Sequence, residues 1–323
     1  MKKTLGALCA AALIGSLAAA LPTALPTATA AGDDVQIQPR SLDRGEDSAI
    51  PHLEGRRVVD GDISVRVRGK QRYLLGAAGD GYVVQVLRKE TYQLVRVAPG
   101  RKQRVLVEGS PGLALLSDDG ETIAVIDRYA HRSSIEVRSA LDGQLLSDRG
   151  GFRGYPNLLD LDGDHLVIAS FEKGARDWDW RADSIERITR KSAYEADLSS
   201  DRLAFFTKDP YNGGCSVTTT LSRPRTRLWR SCREAVLEFS PDGQRIVTTH
   251  KLADGIGPSK VWERMIDGEK LASYTVGAYF GLVGWESESD LLLDAYGRKN
   301  GATVRCSEGT CERASSVRAT PMS

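Results

Sequence analysis

An all-β fold of repeated four-stranded units is what this sequence predicts, and three observations predict it. A strand–turn–strand phrase, Phe239-Ser240-Pro241-Asp242-Gly243 followed by Gln244-Arg245-Ile246-Val247-Thr248-Thr249, recurs in weaker copies at intervals of about forty residues. Each copy is followed by a second hairpin, so each unit supplies four strands. Almost nothing reads as a helix of three turns; Asp183 to Arg190 is the best short candidate, and it fits a strand about as well. Four strands per unit at this period is the arithmetic of a β-propeller blade. Six anchored units give six blades. Seven blades is the alternative, and a β sandwich or other all-β arrangement is the competing fold.

The elements follow in order. Met1-Lys2-Lys3 is a short basic start, Leu5 to Leu21 is apolar, and Ala28-Thr29-Ala30 offers small residues at the spacing a signal peptidase reads. Residues 1–31 are therefore expected to be a signal peptide. Pro22 and Pro26 interrupt the stretch, which argues against a membrane anchor, and Leu8 before Cys9 is not the small residue a lipoprotein site needs. Residues 32–52 are polar, charged and without apolar period, and read as a flexible linker. The propeller domain is expected over residues 53–320. It begins with an extra hairpin at 56–68, where Ile63, Val65 and Val67 alternate toward a core.

Six turn aspartates anchor the repeats: Asp80, Asp119, Asp162, Asp201, Asp242 and Asp290. Asp-Gly suits a hairpin turn, because Asp caps its own backbone and Gly takes positive φ without a steric cost. Second hairpins close on Asp142-Gly143 and Asp267-Gly268.

Residues 239–246 resemble the Ser-Pro-Asp-Gly repeat of the WD40-like and TolB-type propellers of secreted bacterial proteins. Residues 114–126 and 134–146 resemble a diverged WD40 blade with its closing Asp-Gly hairpin. The resemblance covers about residues 73–319 and is sharp only at 239–248. The family's usual Gly-His and Trp-Asp dipeptides are missing from their places. The resemblance implies a fold and a habit of binding, with no shared chemistry.

Composition excludes several classes. A net charge of +1 argues against a nucleic-acid binder, and 41% hydrophobic residues argue against disorder. No later apolar run is long enough to cross a bilayer. Four cysteines remain after the leader, and each expected pair, Cys215–Cys232 and Cys306–Cys311, lies within one predicted hairpin. Disulfides suit an exported chain, whereas no CxxC pair or nearby His completes a zinc site.

Candidate binding residues come from the turns after second strands, on the face that propellers of the resembled family generally use. There the chain carries Arg88-Lys89, Asp127-Arg128, Glu172-Lys173, Lys208-Asp209, His250-Lys251 and Tyr296 with Arg298-Lys299. A charged ring round a funnel mouth would receive a polar ligand or a partner's tail; polar loops meeting water is the plainer reading. The longest such loop, Glu172 to Ala182, holds Asp177-Trp178-Asp179-Trp180. Trp178 and Trp180 either form a stacking platform or pack onto a neighbouring blade. Asp160, Asp162 and Asp164 supply three carboxylates for calcium, but the bidentate Glu that ends such loops is absent.

Enzyme signatures fail one by one. There is no Gly-x-Ser-x-Gly elbow, the four His residues are scattered, and Ser117-Asp118-Asp119-Gly120 does not match a sialidase-type Asp box. A site assembled from His131, His250, Asp127 and Asp209 at the funnel remains open. The sequence thus favours a secreted, monomeric propeller that binds a protein or peptide and has no resident cofactor. A hydrolase or lyase, and a carbohydrate or cell-wall binding module using Trp178 and Trp180, are the alternatives.

Overall fold

A computed structural model describes residues 33–109, 114–128 and 130–320, with Arg128 through its backbone alone. The expected leader at 1–31 lies outside the described residues. Seven sheets follow one another along the chain. Blade 1 has three strands, His52–Glu54, Arg57–Asp60 and Ile63–Arg66. Blades 2 to 7 each carry four antiparallel strands in chain order. Their first strands are Lys70–Ala78, Ala114–Leu116, Asn157–Asp162, Ser192–Asp197, Glu234–Phe239 and Tyr279–Trp285. From blade 2 to blade 7, each first strand touches the next.

The architecture is a seven-bladed β-propeller, which corrects the expectation of six blades. The hairpin at 56–68 is not an extra piece; it is the body of blade 1. That blade escapes an anchor count because it has three strands rather than four, with its Asp60-Gly61 turn between the last two. The helix candidate at Asp183 to Arg190 is the strand Ser184–Thr189 at the outer edge of blade 4.

Local chemistry explains why the anchors turn. Ser117 Oγ donates to Asp119 Oδ1 (2.5 Å), Asp119 Oδ1 accepts from Glu121 N (2.9 Å), and Ser117 Oγ accepts from Thr122 N (3.0 Å). Ser240, Asp242, Gln244 and Arg245 repeat the same three bonds at 2.6, 3.0 and 2.9 Å. Gly120 and Gly243 follow at φ +69° and +64°, where an L-residue is strained. A Cβ on Gly120 would lie 2.3 Å from Ala77 O, and one on Gly243 2.7 Å from Ser200 Cβ. The turn glycines therefore also let each blade close against the one before it.

All six anchor aspartates belong to first-to-second strand turns, so they share one rim, here termed the anchor face. Strand alternation puts the second-to-third turns and the blade connections on the opposite rim, the loop face.

The core is a set of seams. One apolar cluster joins each neighbouring pair from blades 1 and 2 to blades 6 and 7. At blades 3 and 4, for example, Ile126, Ile135, Val137 and Phe152 meet Leu161, Leu166, Ile168 and Trp178. Each such side chain contributes roughly 1.5–3 kcal/mol on burial. No apolar cluster of this kind joins blades 7 and 1 among the described residues.

Polar groups and the N-terminal segment close that last seam. Asp33–Ile37 adds to the outer edge of blade 6 in parallel with Lys270–Val276, burying Ile37. The chain then runs along blade 7, where Gly45 N donates to Arg313 O (3.0 Å) and Ser48 N to Ala314 O (3.1 Å). Just before blade 1, Ala49 N donates to Glu286 of blade 7, which also binds Arg305. The segment read from sequence as a flexible linker thus carries a strand and a clasp. It lacks apolar period because only Val35, Ile37 and Leu42 pack on the core, while backbone and polar side chains make its other contacts. The disulfides Cys215–Cys232 and Cys306–Cys311 form as the sequence suggests. The second holds the hairpin whose Glu308 N and Gly309 N donate to Glu263 and Tyr274 of blade 6 (3.2 and 3.1 Å).

Candidate functional site: the loop face and the acidic channel

The charged residues expected after second strands do share the loop face. Many of them are occupied locally. Asp127 Oδ2 accepts from Ser134 Oγ (3.3 Å), and the side chain of Arg128 lies outside the described residues. Asp209 caps the 3-10 turn Pro210–Asn212, accepting from Tyr211 N (2.9 Å) and Asn212 Nδ2 (2.6 Å). Lys251 Nζ donates to Gly214 O (2.5 Å), and His250 Nδ1 accepts from Leu252 N (3.3 Å). Tyr296 packs on Tyr279 with centroids 4.9 Å apart, and the Arg318 guanidinium covers its ring at 5.3 Å. Glu172, Lys173, Lys208 and Arg298 are exposed and carry no ion pair among the described residues. No hydrogen bond joins His131 or His250 to Asp127 or Asp209 among the described residues.

Trp178 and Trp180 are not a platform. Residues 174–179 form the third strand of blade 4 rather than a long loop, and both rings are buried, Trp178 completely. Trp178 sits 5.8 Å from the Phe152 ring of blade 3, with its Nε1 donating to Asp183 Oδ1 (3.2 Å). Trp180 Nε1 donates to Gly163 O (3.1 Å). Two large rings at a blade seam gain more from apolar burial than from water contact.

Sequence reasoning missed two features. The first is apolar. Tyr155, Phe171, Tyr211 and Ile256 are large side chains left half or more exposed, at 52%, 68%, 69% and 62%. Tyr155 lies in the connection between blades 3 and 4, and the other three lie in the second-to-third loops of blades 4, 5 and 6. All four therefore stand on the loop face, among the charges named above. Each is a single residue in a polar loop, so only its side of the fold gives it meaning.

The second feature lies inside the ring. In blades 4, 5 and 6 the first strand slips register by one residue against the second, between Leu158/Asp160, Ala193/Glu195 and Val236/Glu238. A bulge re-aims the residues beside it, and here the residue after the slip is acidic each time. Asp160, Glu195 and Glu238 thereby stand at one level of adjoining inner strands, with Asp118 and Asp197 close enough to repel members of the set and Asp162 close enough to repel Asp118. Water reaches all six partly, yet protein crowds the three deeper ones.

The protons follow from that crowding. Burial, opposed by the amide donors of Leu198 and Leu161, pushes the Asp160 carboxyl up to about 6. Burial, then repulsion from Asp197, Asp160 and Asp118, pushes Glu238 up to about 8. Glu195 is held well above the ordinary carboxylate range by burial and by Glu238. Glu195 and Glu238 titrate as a pair. Asp118 is also raised, by burial and by Asp162 and Asp197.

The carboxylates weighed for calcium have other partners. Asp160 accepts from Leu161 N (2.8 Å) and Leu198 N (2.6 Å), whereas Asp164 accepts from Arg181 Nε (2.8 Å). Among the described residues no three His, Cys, Asp or Glu side chains are grouped so as to hold a metal ion.

Comparison with known proteins supports the architecture. No family model matches the sequence, and no curated protein matches it. Solved structures do match in shape. The β-propeller domain of Cps50 (Swd1) from Myceliophteria thermophila aligns with TM-score 0.54 at 10% identity, over 80% of this chain and 89% of that one. A chain of a mitotic checkpoint complex gives 0.53 at 12% identity, over 79% and 83%. The WD40 domain of Toxoplasma gondii coronin gives 0.52 at 10% identity, over 87% and 78%. At such identities the likeness is one of fold: a WD40-like β-propeller.

Proposed function

We propose that this chain is an exported β-propeller scaffold that docks a protein partner on its loop face. The observation that carries the reading is the exposure of Tyr155, Phe171, Tyr211 and Ile256 across adjoining blades on one rim. Large apolar and aromatic side chains left in water on one face mark association surfaces, and aromatic residues dominate the binding energy of such surfaces. The surrounding Glu172, Lys173, Lys208 and Arg298 supply a polar rim that sets register more than affinity. Export is supported by the leader-like start and by the two disulfides. The carbohydrate-module reading loses its platform with Trp178 and Trp180 buried.

The test is site-specific photo-crosslinking in producing cells. A photoreactive residue at Phe171 or Tyr211 should give a discrete protein adduct. The same residue at Leu145 or Leu146, also exposed but on the outer strand of blade 3, should give none. Equal adducts at all four positions, or none at any, would remove the loop face as the docking surface.

A further inference from the structure

The near-neutral total hides a segregated charge. Residues 52–108, which make up blades 1 and 2, hold twelve Lys and Arg against six Asp and Glu. Residues 114–189, blades 3 and 4, hold nine against fifteen. The basic pair of blades has a cavity to match. A groove of about 450 Å³ runs between blade 1 and the third-to-fourth turn of blade 2, and Arg66, Arg68, Arg88, Arg101 and Lys102 line it. No carboxylate lines it. Arg66, Arg68, Arg88 and Lys102 are exposed and make no ion pair among the described residues, whereas Arg101 binds Asp80 (2.6 Å).

The groove is held in shape. Arg68 N donates to Gln103 Oε1 (2.8 Å) and Gln103 Nε2 donates back to Arg68 O (3.0 Å), which bolts the end of blade 1 to that turn. Val65, Val105, Ala98 and Pro99 complete the walls.

We infer that this groove binds a phosphate-rich anion, a short chain or cluster of phosphates. Guanidinium forks match phosphate oxygens in pairs, so an arginine-dominated lining favours that group over a lone ion held by point charges. Several unrelieved cations along one groove favour a ligand with several charges over a single phosphate. The size and lining argue against nucleic acid: no aromatic side chain lines the groove to stack a base, and the volume admits only a few phosphate groups. Of the loop-face charges named above only Arg88 lines this groove, and none of the four docking side chains does.

Calorimetric titration of the full chain tests it, with inorganic tripolyphosphate at low salt as probe. Saturable binding is expected, weaker for single phosphate and weaker again in high salt. R66Q/R68Q should weaken tripolyphosphate about tenfold or more, and R88Q/K102Q should do the same if the first pair compromises folding. R187Q, an exposed arginine of blade 4, should change it less than about twofold. A vesicle arm separates the sources. Capture by phosphatidylglycerol vesicles, but not phosphatidylcholine ones, that R66Q/R68Q abolishes would identify lipid headgroups. Tripolyphosphate binding without vesicle capture would identify a soluble oligophosphate. No saturable binding, citrate binding as tightly as tripolyphosphate, or equal losses in R187Q and the groove variants would overturn the inference.

Discussion

At the scale of single residues, the turn glycines separate backbone freedom from packing. Gly243 and Gly163 both have positive φ, +64° and +52°. A Cβ on Gly243 meets Ser200 at 2.7 Å, whereas nothing lies within 4 Å of one on Gly163. Gly163→Ala should therefore cost only the backbone strain, about 1 kcal/mol, and Gly243→Ala about 2–3 kcal/mol. Urea denaturation measures both, and equal losses would mean that the blade contact adds nothing. Trp178 gives the second prediction at this scale. Its removal leaves a cavity between blades 3 and 4, and Trp178→Ala should cost about 3–5 kcal/mol. An unchanged melting temperature would place the ring at the surface after all.

At the scale of elements, the seam between blades 7 and 1 is the distinctive one, because polar groups hold it. Glu286 accepts from Ala49 N and pairs with Arg305, which also binds Glu312 (2.6 Å) and Asp47 O (3.2 Å). Glu286→Ala strands a half-buried arginine and frees the clasp. A loss of about 2–4 kcal/mol is expected, and hydrogen exchange should rise first at residues 43–54. Uniform exchange, with no early opening there, would contradict the clasp. The sequence made the repeated hairpins legible because Asp and Gly serve a fixed turn geometry. It did not reveal the clasp, since a parallel edge strand needs few apolar residues and bonds through its backbone. Blade 1 was legible only as an extra hairpin, with seven blades the alternative, because it has three strands rather than four.

The channel carboxylates were hidden by their spacing from the anchors. Asp160, Glu195 and Glu238 precede Asp162, Asp201 and Asp242 by different distances, because the turns differ in length. Their equivalence appears only in the strand register, where they pair with Val167, Ala204 and Val247. The exposed Tyr211 and Phe171 became meaningful only when the topology put their loops on one rim. Trp178 shows the opposite failure, where a ligand-like pattern Asp-Trp-Asp-Trp proved to be strand alternation at a seam.

At the scale of the whole molecule, the acidic channel should set the response to pH. A carboxyl raised in the folded state binds its proton more tightly there than in the unfolded chain. Its destabilising effect is absent below the ordinary value of about 4, grows as pH rises, and is complete above the folded value. Asp160, raised to about 6, and Glu238, raised to about 8, should make stability fall between about pH 4 and pH 8. Carboxyls held below their ordinary values, such as Asp80 and Glu286, act with the opposite sign in more acid solution. Glu238→Gln should flatten the profile and raise stability at pH 8 by roughly 1–2 kcal/mol, allowing for water in the channel. Melting curves across that range decide it: a native profile that climbs toward pH 8 would contradict the crowded channel.

Docking on the loop face is the claim on which the functional reading stands, and the double variant F171A/Y211A tests it most directly. Its yield of partner would be measured against that of the native chain, by quantitative mass spectrometry of complexes isolated from the producing culture, beside a melting curve of each. Loss of the partner with an unchanged melting temperature is the expected result, since both side chains are exposed and bear no load in the fold. Full retention of the partner by a folded F171A/Y211A chain would contradict it.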